Sequence, residues 1–121
     1  MPDLLVNNAG PYGMTPFVDM DESEWDTVWD ANVKAAYLVS RRVIPGMREA
    51  GWGRIVNLSA VSAWVRNRSI YGLAKSAIIT LTEELAVEAA PEVVDFLQLG
   101  QFADRLDGSA GRRNAQRLQR Q

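Results

Sequence analysis

A chain of 121 residues is long enough for one small domain with a hydrophobic core. Apolar residues make up 47% of the chain, which argues against global disorder, and no apolar run reaches the roughly 18 residues of a membrane span. The absence of Cys and His excludes a disulfide framework, a thiolate metal site and histidine acid–base chemistry, so we expect no metal and a cytoplasmic protein.

The net charge of −2 is unevenly spread along the chain. The first 33 residues contain seven acidic residues and no Lys or Arg, whereas residues 105–121 contain five Arg and one Asp. A basic tail can indicate nucleic-acid binding, but this tail has no aromatic residue for base stacking. We therefore expect no nucleic-acid partner.

Four elements are predicted in the order strand, helix, strand, helix. The strands are short, continuous apolar runs, and the helices show apolar residues at helical spacing. Pro45 and Pro91 are expected to end the two helices. This order predicts an α/β fold with a right-handed crossover and a parallel sheet. The four elements span residues 4–8, 22–44, 54–59 and 71–89.

Tyr71 and Lys75 lie four residues apart at the start of the second helix, so both belong to one helical face. An ammonium held beside a phenol favours the phenolate form, which makes such a pair a candidate general acid and base for a carbonyl oxygen. The same spacing occurs by chance in many helices, where a half-buried Tyr beside a solvated Lys has no chemical role. The neighbouring motifs distinguish these alternatives.

Three further segments accompany this pair in a fixed order. Residues 7–10 read Asn-Asn-Ala-Gly at the end of the first strand, and Asn32 lies inside the first helix. Residues 53–59 read Gly-Arg-Ile-Val-Asn-Leu-Ser. Together, in this order and at these separations, the segments resemble the central part of the short-chain dehydrogenase/reductase family over about residues 3–90. The resemblance implies a partial Rossmann-like, doubly wound parallel sheet that lacks the N-terminal nucleotide-binding strands.

The resemblance implies hydride transfer between NAD or NADP and a small carbonyl or alcohol substrate. Tyr71 would exchange a proton with the substrate oxygen, and Lys75 would hydrogen-bond the nicotinamide ribose. Asn32 would deform its helix locally and hold a water that links Lys75 to solvent. Tyr71 and Lys75 would thus contact the cofactor as well. The cofactor would also pass beside three residues that follow the first strand: Asn8, Ala9 and Gly10.

The family usually places a serine directly after the second strand, where alignment from Gly53 puts Ala60. Ser59 and Ser62 are the nearby hydroxyls. Alternate residues of an extended segment share a side, so Ser62 would point where residue 60 points and Ser59 would point the opposite way. We predict Ser62 as the replacement. If neither serine reaches the substrate, the loss of one oxyanion donor costs ~10²–10³ in rate.

The sequence holds no Gly-rich turn of the kind that binds a dinucleotide pyrophosphate between a strand and a helix. We therefore expect a fragment that is inactive alone, produced by a misplaced start and a reading-frame change near residue 91. Residues 1–90 would form the partial domain. Residues 91–121 would form a divergent, poorly ordered tail that does not continue into the family's next core strand. Within it, residues 93–99 fit either a short helix or a strand.

Two alternatives to an active enzyme remain open. The chain would be a non-catalytic fragment that associates with a full-length relative, or an unstable product without a role. In the family, two long helices pair with those of another subunit in a four-helix bundle, so helices 22–44 and 71–89 would support a homodimer or tetramer. We expect no saturable binding of NAD(H) or NADP(H) to the chain alone at millimolar concentration.

Overall fold

The computed structural model describes residues 1–65 and 68–89, together with the backbone of residues 94–99. A π-helical turn, Asp30–Lys34, separates the first two helices, and a 3₁₀ turn, Val61–Ala63, follows the second strand. Within these described residues there are three helices and three strands: α1 (Glu22–Trp29), α2 (Ala35–Ala50), α3 (Ile70–Ala89), β1 (Leu4–Asn7), β2 (Gly53–Leu58) and β3 (Val94–Leu99).

The sheet is parallel throughout, with the strand order β1-β2-β3. Leu5 lies beside Ile55 in the register of β1 and β2, and Leu58 lies beside Leu99 in that of β2 and β3. The predicted α/β class with parallel strands is confirmed. The count of two core strands was too small, and the expectation that no core strand follows Ala90 was wrong. The free backbone groups on the far edge of β2 require a partner, and β3 supplies it.

The first predicted helix, 22–44, is longer and less regular than expected. The prediction that this helix ends before Pro45 was wrong, because α2 continues through Pro45 to Ala50. Pro45 is exposed, so the helix bond that it cannot make is lost on the side that faces water. Met47, two residues further on, is buried against β2, and this burial favours the continuation of the helix. The helix ends where Gly51 adopts a left-handed conformation with φ 70°.

The helices pack against one face of the sheet and bury its apolar side chains. Alternate strand residues point to opposite faces, so Leu5 and Ile55 meet the helices while Leu4 and Val6 lie on the other face. Leu4 and Val6 remain 54% and 51% exposed, whereas Ile55 is fully buried. Within the described residues, no helix has the length and apolarity needed to cross a membrane.

Four buried or half-buried polar side chains form a continuous link through this layer, which we call the amide brace. Asn57 is fully buried, accepts a hydrogen bond from Asn7 Nδ2 at 2.7 Å and donates one to Thr82 Oγ1 at 3.0 Å. Asn7 Nδ2 also donates to Ser40 Oγ at 3.3 Å. The brace joins α2, β1, β2 and α3, and so fixes where β1 and β2 end.

Candidate active site

The residues singled out from the sequence gather at the carboxyl ends of β1 and β2. Residues 8–10 follow β1, residues 59–63 follow β2, and Tyr71 lies in the first turn of α3. Parallel strands end at the same edge of a sheet, and this edge is where open α/β folds bind their ligands. The sheet topology therefore brings segments far apart in sequence to one place.

Tyr71 and Lys75 are brought together by the first turns of α3. The buried Ser69 accepts a hydrogen bond from the backbone N–H of Gly72 at 3.0 Å and so caps the start of this helix. The Nζ atom of Lys75 lies 5.4 Å from the centroid of the Tyr71 ring. The ammonium is thus within the range of a cation–π contact with the ring.

Lys75 is an unusual lysine because only 4% of it is exposed. Its Nζ atom donates a hydrogen bond to the backbone oxygen of Leu58, the last residue of β2, at 3.0 Å. Burial lowers the pKa of Lys75, because the charged form loses its hydration. The carbonyl of Leu58 and the ring of Tyr71 offset part of this cost. The fold therefore retains a buried cation at the edge where the strands end.

Asn32 lies in the π-helical turn between α1 and α2 and is 3% exposed. Its Nδ2 atom donates to the backbone oxygens of Val28, at 2.8 Å, and Pro11, at 3.0 Å. The prediction that the helix is locally deformed at Asn32 is confirmed. The Oδ1 atom is buried without a hydrogen-bond partner in the described part of the chain. Single π-helical turns inside helices are frequent at functional sites.

Gly10 is required by a contact inside the protein that sequence reasoning missed. A Cβ atom at this position would overlap Asn32 Oδ1 and lie 2.7 Å from Asn32 Cγ. The backbone after β1 therefore passes directly over the side-chain amide of Asn32. The sequence signals of both residues were present, since each lies in a motif, but nothing in either motif shows that the two meet.

The serines after β2 differ from the expected arrangement. The Ser59 hydroxyl donates to the backbone oxygen of Lys75 at 3.0 Å, so it faces α3. Ala60 is extended, but the 3₁₀ turn begins at the next residue, and the alternation that selected Ser62 does not hold there. That geometric premise was wrong. The Ser62 hydroxyl oxygen is buried and, among the described residues, lacks a hydrogen-bond partner. Its catalytic role stays a prediction.

Tyr12 is a second residue that the sequence did not identify. It lies on the loop after β1, is 61% exposed, and places its ring 4.7 Å from that of Tyr71 at an angle of 55°. Its only sequence signal is an aromatic residue soon after the Asn-Asn-Ala-Gly motif. Tyr12 covers part of the Tyr71 ring and narrows the approach to the site.

The arrangement fits one half of a nicotinamide dinucleotide. The buried ammonium of Lys75 and the phenol of Tyr71 lie on the same sheet edge as the exposed residues 8–10, and this set suits a ribose and a nicotinamide. The sequence supplies no Gly-rich turn to hold the pyrophosphate. The residues present could therefore hold the nicotinamide end, without the strong phosphate site of a complete dinucleotide fold.

Comparison with curated proteins gives relatives of much greater length. The chain is 39% identical over 94 residues to nodulation protein G of Azospirillum brasilense. It is 38% identical over 94 residues to the acetoacetyl-CoA reductase of Cupriavidus necator. In both cases the match covers 76% of this chain and 38% of the relative. The chain thus spans less than two-fifths of the length of these relatives.

Solved structures show the same fold. The structure of a 3-oxoacyl-[acyl-carrier protein] reductase with bound NAD from Brucella melitensis superposes with a TM-score of 0.77 at 33% identity. That match covers 81% of this chain and 40% of the reductase. The family model for short chain dehydrogenases matches residues 2–102, a range that extends beyond the predicted 3–90 and includes β3. The chain belongs to the short-chain dehydrogenase family.

Proposed function

We propose that this chain carries the proton-transfer part of an NAD- or NADP-dependent oxidoreductase that interconverts a small carbonyl compound and its alcohol. The observation that carries the proposal is the buried ammonium of Lys75, 5.4 Å from the Tyr71 ring, at the carboxyl edge of a parallel sheet. Two of the similar proteins are named as reductases of oxoacyl substrates, and one of them was solved with NAD. The lack of cysteine supports a cytoplasmic location.

In the reducing direction, the Tyr71 hydroxyl donates its proton to the substrate oxygen as the carbonyl becomes an alcohol. A bound reduced nicotinamide supplies the hydride. Lys75 stabilises the phenolate that remains on Tyr71, and its Nζ atom would bind the ribose hydroxyls. In the oxidising direction, the phenolate takes the proton back. The low exposure of Lys75 strengthens this electrostatic effect, because nearby water is excluded.

The other site residues have supporting roles in this proposal. Asn32, in the deformed turn, keeps open a path by which water resupplies the proton that Tyr71 loses. Ser62 offers its unpartnered hydroxyl to the substrate oxygen and replaces the serine that the family has at Ala60. The strand end contributes three residues alongside the cofactor: Asn8, Ala9 and Gly10.

The purified chain provides the first test. Titration with NADH and NADPH should show no saturable binding at about millimolar concentration, because backbone N–H groups of a Gly-rich turn would normally bind the pyrophosphate. Tight, saturable binding would show that this chain holds the dinucleotide in a different way.

A chimera tests the chemistry itself. Residues 3–89 would replace the matching segment of the Cupriavidus acetoacetyl-CoA reductase, and reduction of acetoacetyl-CoA would be followed by loss of reduced cofactor. We expect turnover that falls at least ~10²-fold in Tyr71→Phe, since general acid catalysis contributes ~10²–10⁴. Tyr37→Phe is the matched control, because Tyr37 is an exposed residue of α2. A folded chimera that binds cofactor but shows no turnover would refute the proposal.

Association is a second candidate function, favoured by apolar residues on the outer surfaces of the helices. Leu38 and Leu73 are 46% and 42% exposed, although each lies on a long helix. Surfaces of this kind favour helix-to-helix contact with another subunit. We propose that α1–α2 and α3, the predicted helices 22–44 and 71–89, support a homodimer or tetramer, or association with a full-length relative.

Sedimentation velocity tests this association. We expect oligomers for the native chain and a shift to smaller species in the double variant Leu38→Glu/Leu73→Glu. Val18→Glu is the control, because Val18 is 94% exposed on the loop before α1. A native chain that sediments as a monomer at every concentration would contradict the proposal.

A further inference from the structure

A groove at the start of α1 is separate from the Tyr71–Lys75 site and shares no lining residue with it. It has a volume of about 390 Å³ and lies between the end of the loop and the first turn of the helix. Phe17 and Trp25 are 44% and 37% exposed within it. We call it the acidic aromatic groove, and its lining residues are Phe17, Met20, Asp21, Glu22 and Trp25.

The groove combines flat aromatic faces with carboxylates. Trp25 is held in place by stacking on Trp29, with ring centroids 5.9 Å apart and planes 16° from parallel. Phe17 tilts against Trp25 at 6.4 Å. Asp21 caps α1 through its hydrogen bond to the backbone N–H of Glu24, and its exposed carboxylate remains near the groove. A guanidinium is the side-chain group that both stacks on aromatic rings and pairs with carboxylates.

The chain itself contains a matching segment. Residues 105–121 carry five Arg and one Asp, whereas the first 33 residues carry seven acidic residues and no Lys or Arg. Two regions of opposite charge in one small protein attract each other, and the attraction weakens with salt. The Arg-rich segment therefore carries the guanidinium groups that suit the aromatic rings and carboxylates of the groove.

The segment begins on the correct side of the molecule. β3 ends at Leu99, beside Leu58, at the same sheet edge from which the loop to α1 leaves β1. Arg112 lies thirteen positions after Leu99 in the sequence, and an extended chain of thirteen steps reaches about 43 Å. A domain of about 100 residues has a radius of gyration of only ~13 Å, so Arg112 and Arg113 can reach the groove without unfolding any element.

We propose that the acidic aromatic groove binds the chain's own arginine-rich segment, residues 105–121, with Arg side chains stacked on Trp25 and Phe17 and paired with Glu22. This contact is independent of the oxidoreductase proposal. It would cover two exposed aromatic residues and join the end of the chain to the start of α1.

The lack of cysteine makes a direct test simple, because one introduced thiol can be labelled alone. A nitroxide on Ser109→Cys in the full chain should remove more than half of the Trp25 indole N–H signal in a proton–nitrogen NMR spectrum. Trp52, next to the start of β2 at the opposite sheet edge, should keep its signal. The effect should disappear in Glu22→Lys, which leaves the cap residue Asp21 intact, and at salt concentrations near 1 M, where charges are screened within ~3 Å.

Three results would overturn the proposal. Equal broadening of Trp25 and Trp52 would mean that the segment has no preferred site. Broadening that persists when all five Arg from residue 105 onward are replaced by Gln would mean that guanidinium groups are not recognised. Broadening of an isotope-labelled chain by an unlabelled chain that carries the nitroxide would mean that the contact forms between molecules.

Discussion

The amide brace and the candidate active site lie next to each other, yet their buried polar side chains differ in hydrogen bonding. Asn7 and Asn57 belong to the brace, where each side chain bonds to another buried or half-buried partner. In the neighbouring site, Asn32 Oδ1 and Ser62 Oγ are buried without a hydrogen-bond partner in the described chain. Paired polar groups stabilise a fold, whereas unpaired ones cost stability and are retained where chemistry needs them. The comparison separates side chains that bond to one another across the sheet from side chains whose polar atoms lack a partner among the described residues.

The largest effect on the free energy of unfolding is expected in the amide brace. Asn57→Ala should lower the free energy of unfolding by about 3 kcal/mol, because it leaves Asn7 and Thr82 without their buried partner. Asn8→Ala is the matched control: the residue is exposed, and its loss should change stability by no more than ~0.5 kcal/mol. Urea denaturation of both variants measures the difference. Equal losses of unfolding free energy in the two variants would contradict the distinction between the amide brace and the residues that follow β1.

A smaller effect on the free energy of unfolding is expected at Gly10, where the backbone after β1 contacts Asn32. Gly10→Ala should cost about 1–3 kcal/mol, because the new methyl group overlaps the Asn32 amide. Adding Asn32→Ala should relieve the overlap, so the double variant should lose less than the sum of the two single changes. Urea denaturation of the three variants gives the coupling energy, and additive losses would show that the two residues do not meet.

The buried Lys75 should make the free energy of unfolding depend on pH. Because burial lowers its pKa from the ordinary value of 10.5, the unfolded state binds more protons between the lowered value and pH 10.5. The free energy of unfolding should therefore rise with pH through that window, and the penalty is full at pH values below the folded pKa. Lys75→Met should abolish this rise, whereas Lys34→Met, at an exposed position, should retain it. Urea midpoints measured against pH would contradict the prediction if all three chains changed in parallel.

The smallest effect is expected at the serines. Ser62→Ala should change stability by less than ~0.5 kcal/mol, because the hydroxyl has no bond to lose. Ser59→Ala should cost about 1 kcal/mol, because its bond to the Lys75 carbonyl disappears. Thermal unfolding can rank the two. The opposite ranking would mean that Ser62 is part of the structural network.

Much of the fold was predictable because it depends on local pattern. Apolar runs and helical spacing predicted the first two strands and both long helical regions, and the Tyr71–Lys75 spacing predicted their proximity. β3 was not predicted, since a short apolar run after Pro91 fits either a strand or a short helix, and only the free edge of β2 decides between them. The contact between Gly10 and Asn32 joins segments 22 residues apart, and no local pattern encodes it.

The π-helical turn at Asp30–Lys34 also sets the phase between two helical segments. Each residue of a regular α-helix advances about 100° around the axis, so one added or removed residue turns everything beyond it by that angle. Val28 before the turn and Ser40 after it both face the interior. Twelve steps of regular winding would place these two side chains about 120° apart, and eleven would place them about 20° apart. The π-helical turn therefore takes up one extra residue and keeps both faces towards the core. A residue added to or removed from a regular part of α1 or α2 has no such turn to absorb it, and would rotate one of these faces out of the core.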